Sequence, residues 1–221
     1  MAVDILATSD DERFLRWVEW LHGITDETFT LFHHRHLWGE LAEISRNAAL
    51  PPSAIFDAFG TWYGASQAVA VRRQLDGDRR SVSFVRLLTN ISEHPRILSR
   101  ERHCALWSPE IHWQQRAHAN FDRIAGVGAK AIAAELLHVD IEALKHDCKP
   151  VKKYVDKVVA HTDEERLQNL LTYRELNDAA GTLGKLLQKY TSLLKATVVE
   201  LTPVIQHDWK APFRKSWLPP L

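Results

Sequence analysis

Tyr154-Val155-Asp156-Lys157-Val158-Val159-Ala160-His161, continued by Thr162-Asp163, is the stretch from which the rest of this chain is read. Across residues 151–162 the apolar side chains fall at Val151, Tyr154, Val155, Val158 and Val159, the three- and four-residue spacing that gathers one stripe along a helix. Lys152, Lys153, Asp156 and Lys157 point elsewhere. The pattern predicts an amphipathic helix that begins at Pro150, where a missing N–H costs nothing, and carries His161 at the edge of its stripe beside Tyr154. A histidine half-shielded from water, yet within reach of a partner surface, suits proton exchange near neutral pH.

Outward from this helix, almost every segment also reads as helical. Ser9-Asp10-Asp11-Glu12 forms a capping box ahead of Phe14, Trp17, Val18 and Leu21, and Gly23 predicts the end of that first helix. A second helix is expected over residues 26–49, stopped by Pro51-Pro52, and a third from Ser53 to Asp76, stopped by Gly77-Asp78. A short fourth follows Ser81 and ends before Pro95. Residues 96–108 carry no clear periodicity and predict a loop or a frayed turn bounded by Pro109. One long helix is expected over 110–137, weakened at Gly126 and Gly128, then a helical turn over 141–146, and a last long segment over 165–202 ended by Pro203. With no strand pattern or internal repeat, the fold class expected is all-α: one helical domain over 1–221, about six to eight helices, with an N-terminal helical elaboration and a Trp- and Pro-rich C-terminal tail.

Composition narrows the functional classes. Twenty-eight basic residues balance twenty-eight acidic ones, so no global field draws the chain to nucleic acid or an anionic membrane, and a polyanion would have to be met by a local patch. Cys104 and Cys148 form neither a CxxC pair nor a disulfide framework and read as inert thiols of a reducing compartment. Met1-Ala2-Val3-Asp4-Ile5-Leu6 lacks the basic start and apolar run of a leader, and no apolar run approaches spanning length, so a soluble, cytoplasmic protein is expected. No phosphate-binding glycine loop, HExxH or GxSxG is present.

The block from Trp38 to Asn90 contains Trp38-x-x-Leu41, Phe59-x-x-Trp62, Arg72-Arg73-x-x-Asp76 and Ser81-Val82-Ser83-Phe84-x-Arg86-Leu87-Leu88. With the helix ending at His161 and the tail Asp208-Trp209 to Trp217-Leu218-Pro219, this order resembles the HEPN superfamily, in its branch of U-type abortive-infection proteins. The resemblance covers most of the chain. It implies a HEPN-like helical bundle that pairs as a homodimer and cuts RNA without a metal or other cofactor, in a toxin–antitoxin or phage-defence setting. Expected partners are a second copy, RNA and an antitoxin protein, with neither membrane nor DNA.

The family's chemistry uses an Arg and a His four to six residues apart on one helix, the His as acid or base for attack by the ribose 2′-OH and the Arg as the cation on the phosphate. By resemblance His161 matches the family His and Asp156 the acidic residue after the Arg, which makes these two the catalytic candidates. The Arg position itself is Val155. Lys152, Lys157, Arg72 and Arg73 are the candidate substitute cations, although a lysine is a point charge and does not reproduce the guanidinium fork. Asp156 and Asp163 are candidates to orient His161, with exposed, solubilising carboxylates as the alternative. For Arg72, Arg73 and Asp76 the alternative is a solvated face with a local ion pair.

His33-His34-Arg35-His36 has only Glu40 at a supporting spacing, so no metal site is expected there. Tryptophans 17, 20, 38, 62 and 113 recur at stripe positions and read as core. Two functions therefore stand as expectations: a degenerate or weakly active metal-independent endoribonuclease, and a non-catalytic helical dimerisation or binding module that lost its chemistry at Val155.

Overall fold

The structure, a computed structural model, describes residues 9–47, 54–159, 171–205 and 207–214. It begins with the expected capping box: the Glu12 N–H donates to Ser9 Oγ at 3.1 Å and the Ser9 N–H to Glu12 Oε2 at 2.9 Å. From there α1 runs unbroken over Asp10–Asn47, where the glycine signal predicts two helices. Its buried residues, Phe14, Trp17, Leu21, Ile24, Thr28 and Leu31, keep alternating three- and four-residue steps straight through Gly23. A continuous seam of this kind outweighs the roughly 1 kcal/mol that one glycine costs inside a helix.

Helix α2 (Ala54–Gln74) returns alongside α1, and α3 (Phe84–Glu93) follows a turn organised by Asp76 and Asp78. The cap of α3 is Ser83, two residues later than Ser81, because its hydroxyl accepts the Arg86 N–H at 3.1 Å. Residues 96–108, expected as a loop or a frayed turn, form a 3-10 turn (Pro95–Ile97) and a regular helix, α4 (Arg100–Ala105), the latter capped by Ser99. The expected long helix over 110–137 is two helices, α5 (Ile111–Ala125) and α6 (Ala134–Asp147). Gly126 at φ +99° and Gly128 at φ +75° take conformations that other residues rarely adopt, and the chain between the helices turns back to bridge Ser99 with Ala131. The turn expected at 141–146 belongs to α6.

Helix α7 (Lys149–Tyr154) holds Pro150 in its first turn and then widens into a π turn over Val155–Val159. Thr172 caps α8 (Tyr173–Lys195) with a full capping box. This last helix is the spine of the bundle, packed on α1, α2, α6 and α7. At Gly184 a Cβ would stand 2.7 Å from Leu201 Cδ1 and 2.8 Å from Phe32 Cζ, so the glycine lets α1 and the segment after α8 close on the helix. Eight α-helices and no strand occur among the described residues, an all-α bundle around one contiguous cluster of buried side chains. No helix among them is long and apolar enough to cross a membrane.

Candidate functional site at the π turn

The π turn decides which side chains of the quoted stretch are available. Val151 and Val155 are buried in the core, Val155 at 7% exposure, whereas Val158 and Val159 are 42% and 38% exposed. The single stripe predicted over these valines is therefore split. Hydrogen bonding from i to i+5 adds a residue to the turn, so side chains beyond Val155 rotate off the face that an α-helix would have kept. Val155 is an ordinary core residue. His161 and Asp163 lie outside the described residues, as does Trp217-Leu218-Pro219.

Asp156, next in sequence, gathers two cations. Arg72, in the last turn of α2, donates from Nε to Oδ1 at 2.9 Å, and Lys152, one turn earlier on α7, donates to Oδ2 at 2.5 Å. Partial burial opposes ionisation of the carboxyl, but the Lys152 and Arg72 hydrogen bonds and charges outweigh it and hold the group below the usual aspartate range. Arg72 spends only Nε here. Its two terminal amino groups have no ion pair or hydrogen bond among the described residues, so half of a guanidinium fork remains for an oxyanion. Two positive charges against one carboxylate leave this patch cationic, although the chain as a whole is neutral.

The other candidates separate. Arg73 pairs with Glu27 of α1 at 2.5 Å, because adjacent residues on a helix face apart. Asp76 is a turn residue, accepting the Asp78 N–H at 3.0 Å on its side chain and the Ser83 hydroxyl on its carbonyl. Lys157 is half-buried on the π turn.

Tyr154 lines a groove of about 600 Å³ beside this patch, together with Trp38, Asp57, Thr61 and Tyr173. Trp38 stacks on Tyr63 at 5.3 Å between centroids, and the Tyr173 hydroxyl donates to the Gly60 carbonyl at 3.1 Å. Gly60 eases that crossing, since a Cβ would stand tightly against Tyr173 Oη at 3.1 Å and Trp38 Cη2 at 3.2 Å. Burial pushes the Tyr63 hydroxyl up to about 12, which keeps it a neutral donor. Stripe spacing places these tryptophans in the core. Trp17 is there, but Trp38 borders the groove and Trp62 is 60% exposed.

Further contacts involve residues singled out in the sequence. Glu40, the supporting residue for the histidine run, is engaged by Lys210. Cys104, read as lacking a base, lies with its Sγ 3.5 Å from His118 Nδ1, although burial raises its thiol pKa. Cys148 is fully buried and pushed up to about 12. Neighbouring Cys104 on α4, His103 is enclosed, with Nδ1 3.0 Å from the Leu193 carbonyl and Nε2 accepting the Trp107 indole N–H at 3.3 Å. The His103–Trp107 pair falls at the i to i+4 spacing of a helical turn, whereas no local spacing announces the Leu193 and His118 contacts, whose partners come from other helices. The chain matches no family model, no curated protein sequence and no solved structure.

Proposed function

We propose that this protein is a weakly active HEPN-type endoribonuclease of the toxin or phage-defence class, metal-independent, in which Arg72 of α2 stands in for the Arg that the quoted helix lacks at Val155. The observation that carries the reading is the Arg72–Asp156 pair, which brings a guanidinium from a different helix to the residue beside Val155. In this reading His161 serves as acid or base for attack by the ribose 2′-OH, and the unspent Arg72 donors hold the phosphate. Asp156 and Lys152 are positioning residues, while the aromatic groove beside Tyr154 receives a base of the strand. The protein is then a cytoplasmic homodimer paired through the face bearing Val158 and Val159, with RNA as substrate and an antitoxin protein as its partner.

One finding favours the second reading, a non-catalytic helical binding module: Val155 is built into the core. The deciding experiment incubates the purified chain with mixed RNA in EDTA, beside Arg72→Ala and His161→Ala. Cleavage that both substitutions abolish supports the nuclease. A folded wild type that leaves RNA intact, or cleavage that survives His161→Ala, leaves only the binding module.

A further inference from the structure

Apart from the π-turn patch, α4, α5 and the turn after Gly126 line a second cavity of about 910 Å³. Arg96, Arg100 and Lys130 line it, against one carboxylate, Glu101. Arg100 is committed to structure: it pairs with Asp122, donates from Nε to the Ala129 carbonyl at 2.8 Å, and its own N–H reaches the Lys130 carbonyl at 2.8 Å. These bonds and the Ser99–Ala131 bridge pin the backbone that carries Lys130. Arg96 and Lys130 themselves have no ion pair among the described residues and are exposed. Two unspent cations thus line the cavity, Lys130 on a braced segment and Arg96 on the 3-10 turn Pro95–Ile97, and the bracing at Lys130 lowers the ordering cost of holding an anion.

The remaining lining is flat and apolar, with a few polar groups. Trp107 is fixed by its hydrogen bond to buried His103, so its ring stands as a preset wall beside Pro109. Gln114 donates to the carbonyls of Cys104 and Ser108 at 3.2 and 2.9 Å, which leaves its Oε1 without a partner among the described residues. The Cys104–His118 contact lies within the same lining. Cations at one edge, an indole wall and an unmatched acceptor fit an oxyanion carried on a planar ring that bears an amino group.

We propose that this cavity binds a phosphate monoester on a flat, amino-bearing ring, a ligand of the nucleoside monophosphate class, with Arg96 and Lys130 on the phosphate and Trp107 and Gln114 on the ring. The site is independent of the Arg72–Asp156 patch and of the nuclease reading. Isothermal titration of the full chain with AMP, adenosine and inorganic phosphate tests it, alongside Arg96→Ala and the double variant Arg96→Glu with Lys130→Glu, whose folding is checked by circular dichroism. AMP should bind at least about ten-fold more tightly than either fragment, and the double reversal should weaken it by about ten-fold or more, with a smaller loss for Arg96→Ala. Four results overturn the proposal: no binding of AMP at millimolar concentration, adenosine binding as tightly as AMP, phosphate binding as tightly as AMP, or AMP affinity unchanged in the folded charge-reversed variant.

Discussion

Replacing Arg72 by alanine separates stability from chemistry. The Arg72 and Asp156 side chains are 30% and 39% exposed, so solvent screens most of their attraction, and pairs of this kind contribute about 1 kcal/mol or less. Lys152 stays on Asp156 Oδ2 at 2.5 Å, so the carboxylate keeps a cation after the arginine is gone. Arg72→Ala should therefore lower Tm by no more than about 4 °C for a chain of this size. If the unspent guanidinium donors hold the scissile phosphate, RNA cleavage should fall about a hundred- to a thousand-fold, the scale of losing one oxyanion donor. Arg72→Lys keeps the charge without the fork and should fall in between. The assay pairs thermal unfolding with cleavage of a fluorogenic RNA in EDTA. Unchanged cleavage, or a loss that merely tracks a large drop in folded protein, refutes the assignment.

Other substitutions test other parts of the structure. Val155→Arg places a charge at a core position and should cost about 3 kcal/mol or more in urea unfolding without raising cleavage; a stable, more active variant would show that the position opens to the cleft. Gly126→Ala forces a side chain onto φ +99° and should cost about 1–3 kcal/mol, with calorimetry as the check; wild-type stability would mean the turn relaxes. Tyr190→Phe removes the 2.6 Å hydrogen bond to Asp140, which keeps Lys189, and should cost about 1–2 kcal/mol on chemical denaturation. The Asp156 carboxyl is held low, so its contribution is complete above an ordinary aspartate pKa of about 4 and fades as pH falls through the depressed value. Asp156→Asn should thus flatten the acid limb of the stability profile; an unchanged limb would mean the pair does not form.

The helical class, the capping box at Ser9 and the stops before Gly77 and Pro95 were legible because each rests on local spacing, whereas the last helix, expected over 165–202, starts at Tyr173 behind Thr172 and ends at Lys195, short of Pro203. The errors were local as well. The seam through Ile24 and Thr28 carries α1 past Gly23, and propensity at one residue misleads where six buried positions agree. The break between α5 and α6 depends on positive φ at two glycines, which composition flags as weakness but does not turn into a boundary. Apolar spacing alone does not reveal an i to i+5 turn, so the split between Val155 and Val158 was hidden. At the candidate site one of the two candidate arginines, Arg72, reaches Asp156, while Arg73 faces α1. The Cys104–His118 contact joins two helices fourteen residues apart, beyond the reach of any motif.

His103 has only one way to be arranged. A carbonyl accepts and an indole N–H donates, so the contacts to Leu193 and Trp107 require the proton on Nδ1 and a bare Nε2, a single tautomer with no room to exchange. A second proton would set Nε2–H against the Trp107 N–H, and burial, ahead of any neighbouring charge, already lowers the ring's pKa. The unfolded chain takes up that proton below about pH 6.5, so mild acid draws the equilibrium toward it. The junction of α4 with α8, and the indole wall hung from it, is consequently the part of this bundle whose integrity is tied to the protonation of one imidazole.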